Sequence, residues 1–144
     1  MYRVLDRLHD ITRDWPQRPG FSSTRELLTA DRGGDVRLDL MPPDVVARCR
    51  DSWRPLAGES TSVVHGDPGA GNIRISRQGV GLIDWDEARV DASIFDIASL
   101  PVIAPLGYER ERLADARRAL DAWEAANGWV VEPAYARRRL AQLG

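Results

Sequence analysis

Between Ser62 and Ile83 the sequence changes its hydrophobic period, and that change limits the folds open to it. On either side, apolar residues recur at helical spacing. Tyr2–Ile11 places Val4, Leu5, Leu8 and Ile11 on one helical face. Ser23-Thr24-Arg25-Glu26 has the spacing of a capping box and opens a helix through about Thr29. A further helix starts at Pro42 or Pro43, carries Asp44 in its first turn, and is limited by Pro55. Its apolar face is Val45, Val46, Cys49 and Trp53. Beyond the window, Ser93–Leu100 reads as a helix stopped by Pro101. Tyr108–Asn127 reads as the longest helix, with Leu113, Ala116, Leu120 and Trp123 as its seam and Gly128 as its C-terminal stop. Pro133–Leu143 is the last. Inside the window, Ser62-Val63-Val64-His65 is a short β-prone run, followed by a glycine-rich loop from Gly66 to Gly71. Ile73–Ser76 and Val80–Ile83 then flank Arg77-Gln78-Gly79, the pattern of a β-hairpin with glycine in the turn. Trp15–Gly20 is a proline-broken loop, and Gly33-Gly34 mark a turn in the polar stretch Asp31–Asp39. The expected architecture is mainly α with a small central β-hairpin, in one domain spanning residues 1–144.

Charge and composition narrow the function. The 20 basic residues face 22 acidic ones, for a net charge of −2, which is no electrostatic footprint for nucleic acid. Every basic residue is arginine. The missing lysines exclude a Schiff-base lysine, a Walker A lysine and a strand lysine gripping ATP phosphates. Cys49 is the single cysteine, so the chain has neither an internal disulfide nor a cysteine metal site. The longest uncharged stretch, Ile97–Tyr108, has 12 residues with two prolines inside, too short to span a bilayer. Met1–Arg7 has no apolar run and does not read as a signal peptide. The expected location is the cytoplasm, with no membrane partner.

The polar residues that invite a chemical reading lie between His65 and Asp96. A strand ends at His65, an irregular loop carries Asp67, and Asn72 opens the hairpin. The hairpin's second strand ends in Asp84-Trp85-Asp86-Glu87. A hairpin brings its two ends together, so Asn72 and Asp84 are expected as neighbours. Asparagine and aspartate oxygens around one cavity suit magnesium with phosphate oxygens. Singly, each residue has a plainer reading. Asp67 and Asn72 beside glycines form turns, His65 is a hydrogen-bonded strand end, and Asp84–Glu87 is a solvated loop. Likewise Asp91 caps the helix at Ser93, and Arg137-Arg138-Arg139 is a solvated helix face. The chemical signal is the conjunction: His-x-Asp, an asparagine five residues after the aspartate, a hairpin, and an aspartate twelve residues after the asparagine.

That conjunction, Val64-His65-Gly66-Asp67 through Asn72-Ile73 with Leu82-Ile83-Asp84-Trp85-Asp86 and Phe95-Asp96-Ile97-Ala98, resembles the aminoglycoside phosphotransferase family. The resemblance implies a protein-kinase-like fold, here its helical C-terminal lobe, with Leu8-His9-Asp10 on the helix after the interlobe hinge. It implies that Asp67 is the catalytic aspartate, orienting or deprotonating the substrate hydroxyl, and that His65 supports the catalytic loop. Asn72 and Asp84 are implied as ligands of Mg2+ and, through it, of ATP. Asp96 is implied as a brace beneath the loop. After Asp67 the family often reads Leu-His-Pro-Gly-Asn, where this chain reads Pro68-Gly69-Ala70-Gly71-Asn72. The family's strand-rich ATP-binding N-terminal lobe, with its glycine-rich loop and lysine, has no counterpart ahead of the hinge helix, so that lobe is expected to be absent.

Two readings follow from different classes. One is a phosphotransferase moving the ATP γ-phosphate to a small-molecule hydroxyl, aminoglycoside-like or related, with this chain as its catalytic lobe. The other is an inactive truncated remnant or binding module that needs a separate partner lobe. A magnesium-dependent phosphohydrolase is a weaker third, because no nucleophile with an activating base supports it. Asp86, Glu87 and Asp91 beside the site suit a cationic acceptor such as an aminosugar. A face normally covered by another lobe would expose apolar surface, so self-association through that face is expected.

Overall fold

In a computed structural model, which describes residues 2–100 and 108–143, the chain folds around one long helix, α4 (Arg110–Asn127). Its seam residues Leu113, Ala116, Leu120 and Trp123 are all buried, and so are Ala119, Ala122, Ala125 and Ala126. Those alanines carry no bulk beyond Cβ, so α2 (Pro43–Trp53), α3 (Ile94–Ala98) and α5 (Pro133–Ala141) pack closely on it. From α2, the expected face of Val45, Val46, Cys49 and Trp53 is buried, and the Trp53 indole N–H donates to the Ala119 carbonyl at 3.1 Å. That bond satisfies a polar atom the core would otherwise leave unpaired. The first helix, α1 (Tyr2–Ile11), packs on α3 and on the strand that leads to the polar loop.

Among the described residues, the strands form three two-stranded antiparallel sheets. The expected hairpin is β4 (Ile73–Ser76) with β5 (Gly79–Leu82), in register Ile73↔Leu82 and Ser76↔Gly79. A smaller hairpin, β1 (Arg32–Gly33) with β2 (Val36–Arg37), encloses the turn expected at Gly33-Gly34. The third sheet pairs β3 (Thr61–Val64) with β6 (Arg89–Ala92), in register Thr61↔Ala92 and Val64↔Arg89. Sequence periodicity missed this pairing. All four β6 residues are buried, Arg89 and Asp91 among them, and the two pair: Arg89 Nε donates to Asp91 Oδ2 at 3.0 Å, while Arg89 Nη2 has no hydrogen-bond partner among the described residues. The guanidinium also lies 3.4 Å from the Trp123 ring centroid.

Several local expectations need correction. The capping box forms, with Ser23 and Glu26 exchanging backbone N–H bonds, yet it opens only a 3-10 turn, Glu26–Leu28. On α1, Ile11 is 64% exposed, while His9, and Thr12 just past the helix end, are buried in its place. The face rotates because polar partners await it. Gly128 ends α4 with φ −79, so it is not a left-handed cap. Asp91 caps no helix; it accepts from the Thr24 amide and hydroxyl and from Arg89. Arg139 is half-buried and pairs with Asp121 and Glu124, so only Arg137 and Arg138 face solvent. Helix α3 ends at Ala98; Pro101 and most of the uncharged stretch after it lie outside the described residues. Among the described residues, no helix is long and apolar enough to cross a membrane.

Candidate active site

Strand β3 delivers the chain to His65 and Gly66, where a sharp change of direction begins. Gly66 has φ +93, in the left-handed region, and a Cβ there would sit 2.9 Å from Cβ of Glu87. Only glycine combines that conformation with that approach. Below the turn lies Asp96, at the first turn of α3 and fully buried. Its Oδ2 accepts from the His65 amide at 2.9 Å and its Oδ1 from the Gly66 amide at 3.0 Å. His9 Nε2 lies 2.9 Å from the same Oδ2.

His65 is also fully buried, so its ring acts on the loop rather than on a substrate. Its Nδ1 accepts from the Asp67 amide at 3.3 Å, and its Nε2 donates to the Ile83 carbonyl at 2.9 Å. One neutral tautomer makes both bonds. His65 therefore ties the Asp67 loop to the end of β5. Trp85 covers it, with ring centroids 4.6 Å apart.

Asp67 is exposed. Asn72 Nδ2 donates to its Oδ2 at 2.9 Å and to its backbone carbonyl at 3.0 Å. The Asn72 carbonyl in turn accepts from the Ile83 amide at 3.0 Å, which places Asp84 directly beyond that bond. Asp84 itself has φ +65, one of two non-glycine residues in the left-handed region among those described. Such a conformation costs about 1–2 kcal/mol in a residue with a Cβ, and aspartate tolerates it better than most.

Asp67 and Asn72 are thus in direct contact, and Asp84 follows the residue that pairs with the Asn72 backbone. Asn72 has committed its amide nitrogen to Asp67, so the ligand atom it retains is oxygen. With the Asp84 carboxylate it offers a hard-oxygen donor pair, the number that magnesium uses when waters and phosphates complete its shell. Among the described residues no three His, Cys, Asp or Glu side chains group as an all-protein metal cage.

Beside Asp67 opens a cavity of about 330 Å³, lined by Gly66, Asp67 and Glu87, by Glu124 and Asn127 from the C-terminal end of α4, and by Tyr135 from the first turn of α5. Burial pushes the Glu87 carboxyl above the usual range; Glu124, Asp67 and Asp84 push the same way and Arg89 opposes them. Glu124 is raised too, first by burial. Its oxygens are engaged by Arg139 and by the Tyr135 hydroxyl. Glu87 accepts from Asn127 Nδ2 at 3.3 Å. Asp86, expected near a substrate, is exposed and does not line this cavity. Sequence reasoning missed Glu124, Asn127 and Tyr135, because acids and amides on an exposed helical register look like any solvated face.

A sequence model of the phosphotransferase enzyme family (APH) matches residues 1–140. No similarity to a curated protein or to a solved structure reaches significance.

Proposed function

Since the chain belongs to the phosphotransferase enzyme family, we propose that it moves the ATP γ-phosphate to the hydroxyl of a small molecule, with residues 65–84 as its catalytic centre. The observation that carries this reading is the Asp67–Asn72 hydrogen bond, with Asn72 bonded onward to Ile83. Phosphoryl transfer asks mainly for positioning and charge neutralisation, and little covalent chemistry. In this reading Asp67 receives the acceptor hydroxyl and takes its proton as the oxygen attacks the γ-phosphorus, while the bond from that phosphorus to the β–γ bridging oxygen breaks and ADP leaves with it. Asn72 and Asp84 hold Mg2+, which when bound neutralises phosphate charge. His65 and Asp96 hold the loop, and neither meets the substrate.

The cavity beside Asp67 supports a cationic acceptor. Its wall presents Asp67, Glu87, Glu124 and Glu132, and Glu124 is already neutralised by Arg139. Glu87 accepts from the neutral amide of Asn127 and, with Asp67 and Glu132, leaves carboxylate oxygens facing the cavity for an ammonium. An aminosugar-like alcohol fits that chemistry.

The same charge pattern supports a division of labour. The 144 residues include no lysine, and the site is acid-rich. We propose that a second lobe or chain supplies the cations that grip the phosphates. Lost positioning alone can account for several kcal/mol of barrier. The chain alone, incubated with Mg2+, ATP and a panel of hydroxyl acceptors, should then form phosphorylated product far below one turnover per second. That product should vanish in Asp67→Ala. Product that survives the substitution removes Asp67 from its role, and turnover near one per second by the chain alone shows that no second lobe is needed.

A further inference from the structure

Pro16-Gln17-Arg18-Pro19 holds two polar residues between prolines, and both side chains reach the backbone that carries the chain from Asp84 into β6. We propose that Arg18 is a positioning residue for Glu87, its guanidinium clasping the carbonyls on either side of Glu87 so that the carboxylate stays in the cavity wall beside Asp67. The contacts stand independently of the phosphotransfer reading; that Glu87 meets the acceptor rests on it.

Gln17 meets Val90 as a neighbouring strand would. Its Nε2 donates to the Val90 carbonyl at 2.8 Å and its Oε1 accepts from the Val90 amide at 2.9 Å. That side-chain amide occupies the edge of β6 turned away from β3 and fixes the loop in register with the strand. Arg18 follows it. Its Nη1 donates to the Asp86 carbonyl at 2.9 Å and to the Ala88 carbonyl at 3.2 Å. From the buried side, Arg89 Nη1 donates to the Glu87 carbonyl at 3.4 Å. The Ala88 amide closes the turn by donating to the Trp85 carbonyl at 3.1 Å. Glu87 is therefore held through its own carbonyl and through those of both neighbours. Its backbone lies against Gly66, where a Cβ would sit 3.0 Å from the Glu87 carbonyl oxygen. An exposed arginine free to rotate would exchange such bonds with water. Here the guanidinium rests over the Phe21 ring, 4.1 Å from its centroid. The Arg18 amide donates to Gln17 Oε1 at 2.9 Å, and the Phe21 amide donates to the Arg18 carbonyl at 3.0 Å. Backbone and guanidinium are both fixed, so the clasp is preorganised.

The first readout, on the full chain, needs no acceptor. Asn127 Nδ2 donates to Glu87 Oε1 at 3.3 Å, so the Asn127 side-chain amide resonances report where that carboxylate sits. Arg18→Met keeps a stem to lie on Phe21 and removes every donor. It should shift those resonances toward their positions in Glu87→Ala. Arg25→Met removes another exposed arginine that donates to a backbone carbonyl, that of Glu59 at 2.8 Å, and should leave them in place. The second readout is Asp67-dependent product formed from Mg2+, ATP and glucosamine. Arg18→Met should raise the apparent KM for glucosamine about tenfold, as for one hydrogen bond to a charged group, with the KM for ATP unchanged. Added to Glu87→Gln it should raise that KM no further, because it acts through Glu87. Unmoved Asn127 resonances, equal movement in Arg25→Met, or an additive KM in the double variant overturns the proposal. If the resonances behave as expected and the wild-type chain makes no glucosamine phosphate, the reading of this cavity as an acceptor site fails and the hold of Arg18 on Glu87 stands.

Discussion

Asp67 and Gly66 are adjacent and answer to different demands. Asp67 is exposed and contributes its carboxylate to Asn72 and to the proposed hydroxyl acceptor. Asp67→Ala should therefore abolish turnover with a stability change near the 0.5 kcal/mol typical of surface sites, as a urea titration would report. Gly66→Ala should do the reverse of a silent change. Its φ of +93 and the 2.9 Å approach to Glu87 predict a loss on the order of 1–3 kcal/mol, and a displaced Asp67 with it. A stability within 0.5 kcal/mol of wild type would show the loop is not held as described. Glu87 makes a pH-dependent prediction. Its carboxyl is raised by burial, so the folded state binds the proton more tightly than the unfolded chain does. Stability falls as pH rises through the window between the ordinary and the raised value. Glu87→Gln should accordingly be the more stable protein at neutral pH, with the advantage disappearing in acid below the ordinary glutamate range. Thermal melts at both pH values check the sign.

At the scale of elements, what could be read from the sequence was what local periodicity encodes. The seam of α4, the face of α2 and the hairpin β4–β5 each repeat a local pattern, and each was found within a few residues of its expected limits. At the open end of that hairpin the same local pairing sets Asn72 against Ile83, the residue before Asp84. The β3–β6 pairing was not legible, because its partners are far apart in sequence and Arg89-Val90-Asp91-Ala92 reads as a polar loop. Burial of the strand becomes affordable only once Arg89 meets Asp91, a contact no pattern announces. The pocket wall from α4 and α5 escaped notice for a related reason: which exposed helical face meets a loop is decided by packing. The Arg89–Asp91 pair carries the element-scale prediction. Asp91→Ala leaves a buried guanidinium without its charge partner, and such losses run to about 3–5 kcal/mol. A loss under 1 kcal/mol by urea titration would mean that Arg89 finds another route to compensation.

For the whole molecule, two surfaces matter. The hairpin exposes Ile75 at 81% beside its turn, and Ile83 and Trp85, just past its second strand, are 40% exposed each. Exposed apolar surface beside a polar site marks an interface. Sedimentation should show association that grows with concentration and weakens in Ile75→Ser; a monomer at all concentrations would leave that face without a partner in solution. The other surface is the catalytic centre itself, and the central claim is that Asp67, Asn72 and Asp84 act as one site. Substituting Mn2+ for Mg2+ in the presence of ATP tests it most directly, because the paramagnetic ion broadens amide resonances only near where it binds. The account predicts broadening centred on Asn72 and Asp84, extending to Asp67, lost in Asp84→Asn and retained in Asp86→Asn. Broadening centred on Glu87 and Glu124, or indifferent to Asp84→Asn, would contradict it.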